Sequence, residues 1–262
     1  MSHLSPDRFI AVLGAQGVGL SQRHGQDHHW LGSLGFIAER SQAANLALDT
    51  LHSLLAEQRC KGAELQLLLS AQYCRFCLVP WSAAINRPAE LQHYARACFE
   101  AHYGQSLDGW RLVVSPEAAG AARIATAVPE ALLQRLHEHC RDLGLRLRSV
   151  RPYLMAAYNR FAGQLGESDF LFVLAEPQRT VCLLAQNGVW QQISTQGGSD
   201  SDAALQALIA RQCELNANER ELPVFLHAPG RLEQPPALDG VQLCELDGEA
   251  GDVLCRMTRA VA

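Results

Sequence analysis

The order of strand and helix signals runs through this chain twice, and that repetition limits the fold more than any single motif does. In the first pass Arg8–Leu13 and Val18–Ser21 read as short strands around a Gly14-Ala-Gln-Gly17 turn. The polar stretch from Gln22 to Ser33, with His24, His28 and His29, reads as a loop. Ser41 can cap a helix to about Gln58, whose Ala44, Leu46, Leu48, Leu51 and Leu55 recur near one stripe. Leu65–Leu69 and Tyr73–Val79 are apolar strands, and Ser70-Ala-Gln between them suits a hairpin. Pro88, whose missing N–H costs little at a first helical position, opens a helix that Gly104 closes. Trp110–Val114 and Ala122–Val128 follow as strands. Pro129 opens a helix ended by Gly144, and Leu145–Val150 and Pro152–Ala162 complete the pass as strand and helix.

The second pass starts with Phe170–Leu174, an unbroken apolar run of the kind buried on both faces of a sheet. Thr180–Ala185 and Val189–Ile193 continue it as a meander, with Asn187-Gly188 as a type I′ hairpin signal. Ser201 caps a helix containing Leu205, Leu208 and Ile209. Val224–Leu226 and Val241–Leu246 are short strands around the proline-rich stretch Ala228–Gly240, and Asp247–Ala262 reads as a terminal helix. Strand hairpins followed by helices, twice over, give an α/β protein of two related halves.

A chain of 262 residues has room for one large or two small domains, and 48% hydrophobic against 19% charged residues supplies a core and excludes global disorder. The formal charge of −5, from 22 basic and 27 acidic residues, argues against a general nucleic-acid binder. No uncharged apolar run approaches the ~18 residues of a membrane span. The polar stretch Met1–Phe9 lacks the apolar segment of a signal peptide, so a cytoplasmic location is expected. Nine cysteines, an odd number, fit reduced thiols better than a disulfide framework. Cys74 and Cys77 form a C-x-x-C, but no helix opens there and no second ligand pair follows. On a strand their spacing puts the two thiols on opposite faces.

The chemistry-bearing patterns are sparse. Gly14-x-x-Gly17-x-Gly19 leads into a strand rather than a helix and precedes no Gly-Lys-Ser/Thr, so dinucleotide and phosphate-loop readings fail on context. Neither G-x-S-x-G nor H-E-x-x-H occurs. His24, His28 and His29 suit a solvated loop better than a shared metal, and no metal site is assigned. Gly197-Gly198-Ser199 before a helix fits either a backbone anion site or a plain cap and loop. The residues alone assign no catalytic set.

The stretch from Leu65 to Arg160 carries an ordered set of motifs. A strand ends in an apolar residue plus proline, Tyr73-Cys-Arg-Phe-Cys-Leu-Val-Pro80, and a helix follows near Glu90-Leu91. Ala127-Val128-Pro129 leads to a helix closing in Gly144-Leu145, and a strand runs into Val150-Arg-Pro-Tyr-Leu-Met-Ala-Ala157. A meander ending in Gly197-Gly198 follows. In this order and spacing the chain resembles the PilM-type pilus assembly proteins, including MshI, and more distantly the cytoplasmic part of the secretion protein GspL.

The resemblance implies an actin-like ATPase fold, two ribonuclease-H-like halves with a small inserted subdomain. It divides the chain into a first lobe at 1–164, with the insert at about 65–104, and a second lobe at 165–262. It implies a nucleotide cleft around Gly14, Gly197, Gly198 and Gly230. Such a cleft needs two hairpin turns of bare backbone and an acidic residue beside each to organise Mg²⁺. Here Val12 and Val173 stand in the places of the two acids, and Pro177 removes an amide donor. A degenerate, non-enzymatic member without cofactor is therefore expected, with an ATP-binding ATPase or sugar-kinase-like enzyme as the alternative. The implied role is a scaffold in a type IV pilus, MSHA or type II secretion-like assembly. It would sit at the inner membrane through a partner, gripping the cytoplasmic tail of a PilN-like single-span protein. The insert supplies Tyr73, Phe76, Trp81 and Tyr94 for that grip.

Overall fold

Two five-stranded sheets of the same strand order, and one three-stranded sheet, carry the chain in the computed structural model. The structure describes residues 7–25, 27–39, 41–166, 168–216, 222–231, 235–246 and 252–261. They divide into two units, one of Met1–Tyr73, Glu130–Arg160 and Leu246–Ala262, the other of Cys74–Pro129 and Phe161–Glu245.

The first unit is built on strands β1 (Arg8–Leu13), β2 (Gly17–His24), β3 (Asp27–Gly35), β4 (Glu64–Leu69) and β8 (Arg146–Pro152), in the order β3-β2-β1-β4-β8. β1 runs antiparallel to β2 and parallel to β4, and β4 runs parallel to β8. Helices α1 (Ala43–Ala56), α3 (Glu130–Asp142) and α6 (Val253–Thr258), with a 3-10 turn at Arg259–Val261, pack beside it.

Three expectations change here. Strands β2 and β3 run into the stretch read as a loop from Gln22 to Ser33, where Gln22 pairs with His29 and Arg23 with His28. Polar side chains fit there because β3 is a sheet edge with most of its residues partly exposed. Leu65–Leu69 forms no hairpin with the next strand and is not part of an insert. Buried on both faces, it reads as a central parallel strand, and Ser70 N–H extends its pairing by donating to Leu13 C=O at 2.9 Å. The N-cap of α1 is Gln42 rather than Ser41.

In the second unit β5 (Arg75–Val79), β6 (Trp110–Val114) and β7 (Arg123–Pro129) form an antiparallel sheet in the order β5-β7-β6. Helix α2 (Pro88–Tyr103) covers one face, and Ala95, Phe99 and Leu107 meet Cys77, Val79, Ala125 and Ala127 there. The helix ends as its sequence requires, with Gly104 at φ 64°. The three-stranded sheet and α2 thus span 75–129 rather than the expected 65–104, because β4 lies outside this sheet and two of its strands, β6 and β7, follow α2.

The other sheet of this unit contains β9 (Phe170–Glu176), β10 (Arg179–Gln186), β11 (Val189–Gly197), β12 (Val224–His227) and β13 (Val241–Leu243), in the order β11-β10-β9-β12-β13. Its directions repeat those of the first unit, antiparallel along the meander and parallel from β9 outwards. β9 is buried along its whole length. Asn187 and Gly188 take φ of 53° and 70°, as a type I′ turn demands. Helix α5 (Asp202–Leu215), capped by Ser201, packs Leu205 and Ile209 onto Leu171, Val173 and Leu184. The terminal helix is described from Val253 onward, and residues 247–251 of that expectation lie outside the described residues. That helix belongs to the first unit, so the chain from 165 onward is not a lobe by itself.

Candidate functional site

The turn joining β1 to β2 holds the first of the predicted glycines. Gly14 N–H donates to Gly17 C=O at 2.9 Å, and Gly14 C=O accepts from the Tyr73 hydroxyl at 3.0 Å. The bare backbone of this hairpin is covered by α6. A Cβ at Gly14 would stand 2.5 Å from Leu254 Cδ2, and one at Gly19 would stand 2.6 Å from Leu254 Cβ and 2.7 Å from the Trp30 ring. Only glycine admits these neighbours at such a distance. Helix α6 is held in place by polar contacts at both ends. Asp252 accepts from Leu254 N–H at 2.9 Å and from the Ser33 hydroxyl, and Thr258 shares a 2.9 Å hydrogen bond with Ser21.

In the second unit three predicted glycines gather around the turn Pro177-Gln178, between β9 and β10. Gly197 pairs with Arg179, Gly198 N–H donates to Gln178 C=O at 3.2 Å, and a Cβ at Gly230 would lie 3.1 Å from Pro177. Arg231 fastens the same place, donating to Asp200 C=O at 2.7 Å and pairing with Asp202 at 2.8 Å. The Gly198 amide is therefore spent within the protein, and Asp202, at the start of α5, meets a guanidinium of this chain. Val12 and Val173, standing where carboxylates were expected, are fully buried. An ionised side chain at either position would be desolvated at high cost.

The histidines read as a loop lie on strands. His28 and His29 are neighbours in β3 and so point to opposite faces, while His24 meets Asp7 at 2.9 Å. Among the described residues no three His, Cys, Asp or Glu side chains gather as metal ligands. Cys74 and Cys77 are buried and free, and burial pushes the Cys77 thiol up to about 11, away from the nucleophilic thiolate.

Of the four residues expected to grip a partner, Tyr73 is buried in the first unit, on the Gly14 carbonyl. Phe76 is buried, its backbone N–H and C=O both bonded to the Tyr103 hydroxyl, at 3.1 and 2.9 Å. Tyr94 packs against the core between α2 and its sheet. Trp81 is different. It is 46% exposed and lines a groove of about 260 Å³ with Pro80, Ile85, Arg87, Pro88, Leu91 and Arg123. Apolar residues make up most of the lining, and two arginines take part in it, the side chain of Arg87 being 82% exposed. Glu90 fixes the wall by accepting from Asn86 and Arg87 N–H at 3.1 and 3.2 Å. The sequence reading missed Ile85, Leu91 and the arginines. The available signal was the short span between two prolines, Pro80 and Pro88, that hold a strand end and a helix start apart.

No family model matches the chain, and no curated protein matches it. Solved structures do. The cytoplasmic domain of EpsL, an inner-membrane component of the type II secretion system of Vibrio cholerae, is 13% identical over 97% of this chain and 94% of that one, with a TM-score of 0.59. A PilM-PilN type IV pilus biogenesis complex gives 13% identity, 97% and 98% coverage and a TM-score of 0.63. A Bacteroides thetaiotaomicron protein described as having an actin-like ATPase fold gives 11% identity, 98% and 96% coverage and a TM-score of 0.62. Likeness at this identity over nearly the full chain shows the fold, and that fold is the actin-like ATPase fold.

Proposed function

We propose that this actin-like ATPase fold serves as a non-catalytic component of a type IV pilus or type II secretion-like assembly, and that its insert grips the cytoplasmic tail of a PilN-like single-span membrane protein. The observation that carries the reading is Leu254. In a nucleotide-binding member of this fold the first hairpin must offer bare backbone to phosphates. Here the glycines of that hairpin accommodate Leu254 and Trp30 of the same chain. The places of the two acids are filled by buried valines. A surface open to a partner is the Trp81 groove, where an apolar side chain of a peptide can displace water beside an aromatic anchor. The chain then works at the inner membrane through that partner.

Titration of Trp81→Ala with a tail peptide from the membrane partner tests the grip. The variant is expected to lose ~2 kcal/mol or more of binding, about thirtyfold in affinity, with its melting temperature unchanged. A lowered melting temperature with unchanged affinity assigns Trp81 to packing and defeats the proposal. Calorimetry with ATP–Mg²⁺ is expected to show no binding in the micromolar range. Micromolar affinity would favour the ATPase reading instead.

A further inference from the structure

One row of ionisable residues crosses the whole first-unit sheet. His28 of β3, Arg23 of β2, Arg8 of β1, Glu64 of β4 and Arg146 of β8 are successive cross-strand partners. Directly paired residues share a face, and at ~4.8 Å per strand the row spans about 19 Å. It lies at the end of the sheet where β1, β4 and β8 begin. Glu64 there faces three guanidiniums, those of Arg148 at 2.8 Å, Arg8 at 3.6 Å and Arg146 at 3.7 Å. Arg23 donates to the carbonyls of Gly25 and Val261, which carry no net charge. The segment entering β4 adds exposed Arg59 and Lys61, the chain's one lysine, and ties to the segment entering β8 through Gly62 N–H to Gly144 C=O at 2.9 Å. Asp7, beside Arg8 in sequence, is engaged by His24. His28, half-buried at the far end of the row, is held below the ordinary histidine range by burial and by the charges of Arg259 and Arg23.

We propose that this rim binds directly to an anionic phospholipid surface. The chain as a whole is negative, at −5, so the excess of cations along one sheet end is a property of the fold and not of the composition. Long side chains rooted on rigid strand ends form a line. Arginine and lysine stems can turn outward from such a line and set their charges against a plane. Guanidiniums also match phosphate groups with paired hydrogen bonds. A line of cations on strand ends suits a sheet of headgroups better than an acidic peptide, which would be read by alternate side-chain pockets. The inference rests on the reading above for bringing the chain to a membrane, but the two use different residues in different units.

Cosedimentation of the full chain with vesicles tests it, using phosphatidylglycerol and phosphatidylcholine at 3:7 or phosphatidylcholine alone, at low and at raised salt. Binding is expected on the anionic vesicles only and is expected to weaken as salt rises. Each cation at an anionic surface strengthens binding roughly fivefold. The variant Lys61→Gln/Arg146→Gln/Arg148→Gln, which leaves Arg8 on Glu64, should therefore bind about a hundredfold more weakly. Arg111→Gln/Arg160→Gln/Arg211→Gln changes the net charge equally and should bind like the wild type, with melting curves confirming that both variants are folded. Equal losses in the two variants, or no binding to anionic vesicles at low salt, overturns the assignment. So does rim-dependent binding of polyglutamate without binding to vesicles, which would give the rim to an acidic protein segment. Loss of the rim should leave tail-peptide affinity at the Trp81 groove unchanged, so failure here and failure of the functional reading are separable.

Discussion

At the level of single residues, burial decides what the side chains can do. The sequence placed Tyr73, Phe76, Trp81 and Tyr94 on one footing, as aromatics of a binding insert. The fold leaves Trp81 at the mouth of a groove and turns the other three inward. Alternation along a strand is legible in sequence, but whether a given face is covered depends on elements far away in the chain. The same holds for His139 of α3, whose ring meets that of His52 of α1 edge-on at 4.8 Å. Burial first, then His52 and Arg135, hold its imidazolium below the ordinary range, against a smaller opposing pull from Asp49. A histidine with a lowered folded-state pKa leaves stability full above the unfolded value of ~6.5 and loses it as pH falls below, because the unfolded chain takes the proton first. The melting temperature is therefore expected to drop between pH 7 and pH 5.5. His139→Gln should flatten that dependence, and an unchanged slope in the variant would show that the drop comes from other groups.

At the level of elements, helix α6 is where a local reading could least anticipate the outcome. Its six residues are too few to hold a helix in isolation. The sheet of the first unit stabilises it, through Leu254 over Gly14, Gly17 and Gly19 and through Thr258 on Ser21. The glycine pattern itself was plain in the sequence, while its use as a seat for Leu254 was not, since the two lie more than 230 residues apart. Gly19→Ala is expected to cost ~1–3 kcal/mol by overpacking against Leu254 and Trp30. In the Gly19→Ala/Leu254→Ala double variant the combined loss should fall short of the sum of the single losses by at least ~0.5 kcal/mol. Additive losses in chemical denaturation would mean that Leu254 does not sit on Gly19.

At the level of the whole molecule, the chain leaves the first unit after Tyr73, returns at Glu130, and comes back once more at Leu246. No single cut therefore separates a complete unit. A fragment of residues 1–164, the expected first lobe, lacks α6 and contains β5 to β7 without the rest of their unit. It is expected to show no cooperative melting transition, and a transition matching that of the full chain would contradict the division into these two units. The repeat of hairpins and helices nevertheless foretold the architecture, because each sheet is written as a local meander plus parallel strands, and both follow the order of the sequence.

Two similar sheets, the places of most strands and helices, and the turns that need Asn187, Gly188 or Gly104 were legible in the sequence alone. Those features depend on backbone conformation and on apolar periodicity, which act over a few residues. Packing alone settled that Leu65–Leu69 is a central strand, that His24 pairs with Asp27 and Arg23 with His28, that α6 covers the Gly14 hairpin, and that Arg8, Arg23 and Arg146 share one row. Each of these depends on which distant segments become neighbours. Register across a sheet and burial under a remote helix are settled by the packing of the whole unit, and no window of sequence contains them.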